Sequence, residues 1–173
     1  MAIEKVTDAN YEEFRNFSRA VLVVSTSWCK ECGRYDPIIE TLSRQMPFIR
    51  FGKVVLDKKI ISNEDRSSQL KRDYRDINRW TLPTTLLFRN QREVPNSRIN
   101  GFRPYSDIFP KIQKNLLLES LVFVPNGSIY VPALVKHIRN TRGPYVLELT
   151  RDSSLGRKGE RIELEEKKFQ WSA

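Results

Sequence analysis

The sequence predicts an α/β fold over residues 1–118, followed by a small β-rich extension over residues 119–173. Three observations carry this. Short apolar, β-branched runs alternate with stretches of helical period. A Cys-x-x-Cys pair stands where one such run gives way to an amphipathic stretch. Past residue 118 the pattern turns to strand-length segments joined by turn residues.

In chain order, Ile3 to Val6 reads as a short edge strand, and Thr7 or Asp8 is placed to cap a helix carrying Tyr11, Phe14 and Phe17. Val21 to Val24 is continuously apolar and suits a buried parallel strand. Ser25-Thr26-Ser27 then offers hydroxyls for a helix entry, and Tyr35, Ile38, Ile39, Leu42 and Met46 form one helical stripe. Pro37 inside that stripe is expected to kink the helix without ending it. Residues 49–57 (IRFGKVVLD) are the next strand. A helix from about Glu64 to Ile77 follows, capped by Asn63 and touching the core through Leu70, Tyr74 and Ile77. Thr84 to Phe88 is a strand entered through Pro83, and Asn90-Gln91-Arg92 turns the chain into a partner strand up to Ile99. Gly101 ends it, and Ser106 can cap a last helix through Ile108, Ile112 and Leu116. The order is βαβαβαββα.

The extension opens with a hairpin signal, Pro125-Asn126-Gly127-Ser128, between two apolar runs. Pro132 to Thr141, which includes His137, reads as a short helix closed by Arg142-Gly143-Pro144. Residues 145–149 and 161–165 read as two more strands, making residues 119–173 a small α+β unit with edges on which a second copy can pair.

At 173 residues the chain holds one core with an appendage. No apolar run reaches the roughly 20 residues that span a bilayer, and Met1 to Val6 lacks the pattern of a signal peptide. A cytoplasmic location is expected. The net charge of +9 arises from 30 Lys and Arg against 21 Asp and Glu, with the acids interleaved among the bases. That reads as a solvated basic surface. With no glycine-rich phosphate loop and no alternation of basic and aromatic residues, nucleic acid is a lesser candidate partner.

Cys29 and Cys32 are the only cysteines. Two thiols three positions apart at a helix start are placed for reversible disulfide chemistry. The first meets unpaired backbone N–H groups and the positive end of the helix dipole, which favour its thiolate. Zinc wants four ligands and the only histidine is His137, so no metal and no cofactor is expected.

Trp28 directly before Cys29, Cys32, Pro37 five residues on, and Leu82-Pro83 ahead of a strand together resemble the thioredoxin family over about two-thirds of the chain. The resemblance implies a thioredoxin-like fold, a central mixed β-sheet flanked by helices. It also implies a cis peptide bond before Pro83, lying against the disulfide, with Leu82, Pro83 and Trp28 holding a substrate peptide. Gly101 matches a family glycine, and Lys53 matches a family lysine. Two departures stand out. Lys30-Glu31 replaces the usual Gly-Pro, and the two charges act on Cys29 in opposite directions. Val23 occupies the position of a buried family Asp that helps move a proton when the second Cys attacks; water or Glu31 is left to substitute. The segment between Asp57 and Pro83 also exceeds the family norm by a helix turn or two.

The reading that follows is a thiol-disulfide oxidoreductase reducing protein disulfides, with Cys29 and Cys32 catalytic and Lys30, Glu31 and Lys53 tuning them. A thiol reductase or small thiol would recycle it. The apolar residue before Pro83 favours the reductase direction. The alternative is a binding or scaffold protein on the same fold, acting through its basic surface and C-terminal extension.

Overall fold

The computed structural model describes residues 3–56, 69–118, 120–126, 128–138, 145–150, 155–156, 158–164 and 170–171. The chain divides into two compact units, Met1–Lys111 and Ile112–Ala173. The expected helix start at Asn63, the lengthened segment after Asp57 and the Arg142-Gly143-Pro144 stop lie wholly or largely outside the described residues.

The first unit is a mixed sheet with helices. Its strands are β1 (Glu4–Lys5), β2 (Arg19–Thr26), β3 (Arg50–Leu56), β4 (Thr84–Arg89), β5 (Arg92–Glu93) and β6 (Ile99–Asn100). The order is β1-β3-β2-β4-β5, with β6 also on β4. β3 runs parallel to β1 and β2, whereas β4 is antiparallel to β2 and to both β5 and β6. β2 lies at the centre and all eight of its residues are buried, as its unbroken apolar run requires.

Side chains alternate across this sheet. On one face Ala20, Leu22, Val24, Val54, Leu56, Leu86 and Phe88 join a core with Val6, Tyr11, Phe14, Leu70, Tyr74 and Ile77. The last six arrive from the β1 end, from α1 (Tyr11–Arg15), and from α3 (Gln69–Asp73) with the 3₁₀ turn Ile77–Arg79 beyond it. Gly52 is what lets Phe14 in: a Cβ there would lie 2.5 Å from the Phe14 ring and 2.6 Å from Val6. The other face meets α2 (Lys30–Gln45), through Asp36 and Tyr35, which reach Lys53 and Thr85.

Several local expectations shift. The cap of α1 is Asn10, not Thr7 or Asp8. Its Oδ1 accepts from the Thr7 amide at 2.7 Å, so residues 7–10 form a turn and the helix starts later. Phe17 falls beyond α1 and is exposed. Ser25 and Thr26 do not cap α2, because β2 extends through them and buries both. α2 continues through Pro37 to Gln45. The partner strand of β4 breaks into β5 and β6 around Val94-Pro95-Asn96-Ser97. Pro95 has no N–H for a ladder, Asn96 takes a positive φ of 57°, and Ser97 Oγ donates to the Val94 carbonyl. The last helix, α4 (Tyr105–Ile112), begins ahead of Ser106, with Ile108 and Ile112 buried as the pattern required.

The second unit carries an antiparallel sheet of β7 (Leu121–Asn126), β8 (Ile129–Ile138), β9 (Tyr145–Leu149), β10 (Arg161–Leu164) and β11 (Gln170–Trp171), in the order β10-β9-β8-β7-β11. The two runs expected to form a hairpin pair antiparallel, from Leu121 with Leu134 to Asn126 with Ile129. The helix expected over Pro132 to Thr141 does not: residues 132–138, with His137, belong to β8. Val131, Ala133 and Val135 are buried alternately, so a period of two overrides the helix-forming Ala-Leu-Val-Lys composition. The strand gains ladders on both sides, with one irregularity between Val135 and His137. Pro132 is tolerated because only its carbonyl is needed, taking the Thr150 amide at 3.1 Å and Thr150 Oγ1 at 2.8 Å. No described helix is long and apolar enough to cross a membrane.

Candidate redox site

Cys29 and Cys32 form a disulfide with Cα atoms 5.5 Å apart. The sequence of β2 creates the place: the strand ends at Thr26, Ser27 to Cys29 turn, and the Cys29 amide donates to the Thr26 carbonyl at 3.2 Å. Cys29 is itself the N-cap of α2, and its side chain makes no cap hydrogen bond. The first-turn N–H groups, which an N-cap oxygen commonly takes, therefore donate no hydrogen bond to the Cys29 side chain. Cys32, one turn in, is only 4% exposed, whereas Cys29 is half-buried and Trp28 is 41% exposed. The pair presents one accessible and one shielded sulfur.

The Leu82–Pro83 peptide bond is cis. Val24 of β2 pairs with Thr84 of β4, so Leu82-Pro83 and the Cys29 turn emerge from the same end of adjacent strands. The Thr81 carbonyl accepts the Gly101 amide at 3.0 Å and Thr84 Oγ1 at 2.9 Å, which pins this loop from two sides. Gly101 has a φ of +73°, a left-handed conformation that favours glycine. Beyond it Phe102 meets the Tyr35 ring edge-on at 6.0 Å, and the Arg34 guanidinium lies 5.2 Å over Phe102. Leu82 is half-buried and packs on the core, and Pro83 is buried.

Lys30 and Glu31 are both exposed, and Glu31 pairs with Arg34 at 3.2 Å. Lys53 lies deeper. It stands in register with Val23 of β2, which in turn stands opposite Thr85 of β4. The three side chains therefore form one row on the face that meets α2. At one end Lys53 Nζ donates to both carboxylate oxygens of Asp36, at 2.7 and 2.8 Å. At the other end Tyr35 and Thr85 hydroxyls are 2.9 Å apart. Burial pushes the Tyr35 phenol up to about 12, with the Thr85 hydrogen bond opposing the shift. Between them Val23 is buried and apolar.

Asp36 and Thr85 are polar residues of this region to which the sequence reading gave no role at the site, and Tyr35 was expected only as part of the apolar stripe. Asp36 carried one usable signal, its position four residues after Cys32 on a helix. Its pairing with Lys53 comes from the packing of α2 on β3, which no local pattern reveals.

No protein-family model matches the chain. A thioredoxin of Staphylococcus saprophyticus is 29% identical over 118 residues, covering 67% of this chain and 100% of that one. A thioredoxin of Chlamydia pneumoniae is 24% identical over 101 residues, 58% of this chain and 86% of that one. Among solved structures, Chlamydomonas reinhardtii thioredoxin f2 superimposes with a TM-score of 0.50 at 20% identity, over 65% of this chain and 95% of its own. The short form of thioredoxin f from spinach chloroplast gives 0.50 at 18%, over 66% and 93%. These two likenesses speak to the fold; the sequence relatives and the Cys29–Cys32 pair carry the resemblance further. The chain has a thioredoxin-like fold, is similar in sequence to thioredoxins over about two-thirds of its length, and carries a β-rich C-terminal extension.

Proposed function

We propose that this thiol-disulfide oxidoreductase acts as a reductase of protein disulfides, with Cys29 as the attacking sulfur. The observation that carries the reading is the asymmetry of the pair at the open N-terminus of α2: Cys29 is accessible there, while Cys32 is shielded. Thiolate is the nucleophile, and the helix end stabilises it. Cys29 thiolate attacks a substrate disulfide, forming a mixed disulfide and releasing one substrate sulfur as thiolate. Cys32 thiolate then attacks the Cys29 sulfur, closing the intramolecular disulfide and releasing the second substrate sulfur. Two electrons pass from the dithiol to the substrate.

Trp28 supplies an apolar wall, and the backbone at Leu82 and Pro83 holds the substrate in extended pairing. Lys30 and Glu31 set the local potential around Cys29 with opposite signs. A thiol reductase or a small thiol recycles the disulfide, and the reducing cytoplasm suits a chain whose only cysteines are this pair.

The dithiol form should reduce a protein disulfide such as those of insulin, and Cys29→Ser should abolish the reaction. Equal rates for wild type and Cys29→Ser would sink the reading.

A further inference from the structure

We infer that Asp36, held by Lys53, accepts the proton of Cys32 when that sulfur resolves the mixed disulfide. The inference rests on the oxidoreductase reading above and concerns its second step. That step needs Cys32 as thiolate, yet Cys32 is 4% exposed. Burial disfavours a thiolate and keeps bulk water from taking its proton. A nearby acceptor answers the need.

The carboxylates of α2 narrow the choice to one. Glu31 adjoins Cys32 in sequence but is exposed and turned to Arg34. Glu40 is two turns away, exposed and paired with Arg44 at 3.3 Å. Asp36 stands one turn beyond Cys32 on the same helix face. Residues so spaced have Cβ atoms about 5–6 Å apart, a gap that one water bridges for proton transfer. Among the described residues the partner of Asp36 is Lys53 from β3, and along α2 Cys32 stands one turn before it and Glu40 one turn after it. The sheet row beneath offers no rival acid, since Val23 is apolar and the Thr85 hydroxyl is engaged with Tyr35.

Lys53 completes the device. Its ammonium holds both Asp36 oxygens, and the side chains are only 21% and 36% exposed. The two hydrogen bonds orient the carboxylate, while each oxygen retains a lone pair for another proton donor. In the step itself the Cys32 S–H bond breaks and its proton passes to an Asp36 oxygen. The freed sulfur pair forms the Cys29–Cys32 bond as the bond from Cys29 to substrate sulfur breaks. The departing thiolate then takes up a proton from solvent, and Asp36 returns its own.

The test separates the two steps. Reduced protein is mixed with oxidised glutathione, and quenched samples are resolved by mass to follow the glutathione adduct at Cys29. Asp36→Asn is expected to form the adduct at the wild-type rate but to resolve it roughly 10²-fold more slowly, the low end of what a positioned base contributes. Its resolution should recover as pH rises toward thiol ionisation, and Asp36→Glu should restore part of the neutral-pH rate. Lys53→Met, which leaves Asp36 in place but removes both hydrogen bonds that orient it, should slow resolution at neutral pH and leave the rate of adduct formation unchanged. Resolution by Asp36→Asn at the wild-type rate with the same profile would overturn the inference. So would an equal slowing at every pH that Asp36→Glu does not relieve, which is the mark of a packing defect. If Asp36→Asn does not fold, resolution by Lys53→Met at the wild-type rate overturns it equally. Failure of the reduced wild type to consume oxidised glutathione and close the Cys29–Cys32 disulfide would instead overturn the oxidoreductase reading, and this inference with it.

Discussion

Tyr35 shows how one side chain can serve both packing and the site. It is fully buried on α2, meets Phe102 edge-on, and shares a hydrogen bond with Thr85 beneath the redox pair. Burial raises its phenol from 10.0 to about 12, so the folded state keeps a proton that the unfolded chain gives up. The resulting stabilisation is whole below pH 10 and fades as pH climbs to about 12. At about 1.4 kcal/mol per pKa unit it amounts to roughly 2–3 kcal/mol. Tyr11 and Tyr74, whose phenols are also raised by burial, add to the same alkaline loss. Stability measured by chemical denaturation should therefore decline across this window, and more gently in Tyr35→Phe. An identical slope in the variant would contradict the assignment. Tyr35 was legible as a core position from its helical stripe, but its hydroxyl partner was not. Thr85 lies 50 residues away and is brought opposite by the β2–β4 pairing. The same holds for Lys53 and Asp36, which meet only because α2 crosses β3. Cys29, Cys32 and Pro83 were readable because their signal is local: spacing, a neighbouring Trp, and the entry to a strand.

Elements whose composition and period agree were readable; those where they conflict were not. β2 and β4 have continuous apolar runs and form where expected. β8 was misread because Ala133, Leu134 and Lys136 favour a helix, while alternate burial of Val131, Ala133 and Val135 calls for a strand. Tertiary pairing on both sides decided it. The contact of α1 with β3 was hidden for another reason, since Gly52 in the strand run IRFGKVVLD reads as a weakness. In the fold it is the opening through which Phe14 reaches the sheet. Gly52→Ala should drive the ring or the strand aside and cost roughly 1–3 kcal/mol, as overpacking does. Thermal unfolding should show the loss, and Phe14→Leu in the same chain should return part of it by vacating the contested space. An unchanged midpoint in Gly52→Ala would mean that α1 is free to move away.

At the scale of the molecule the net charge of +9 is the one property that acts beyond contact distance. Such a charge draws in acidic partners and repels basic ones before any docking. Salt controls the range: the Debye length falls from about 30 Å at 0.01 M to about 8 Å at 0.15 M. The dithiol form should thus reduce an acidic protein disulfide with a kcat/KM that falls about tenfold or more over that interval, within the span attributed to steering. A neutral small disulfide, which feels little of the field, serves as the reference and should change little. Steering adds to encounter rate rather than to the chemistry, so the rate of mixed-disulfide resolution at Cys32 should not follow salt in the same way. The paired carboxylates bear on this too, because Asp36 with Lys53 and Glu31 with Arg34 cancel locally near the cysteines. What remains, apart from Lys30 beside Cys29, is a long-range field. If the acidic and neutral substrates lose rate in parallel, the charge is a solvated surface with no part in choosing substrates, and selection is left to contacts at short range.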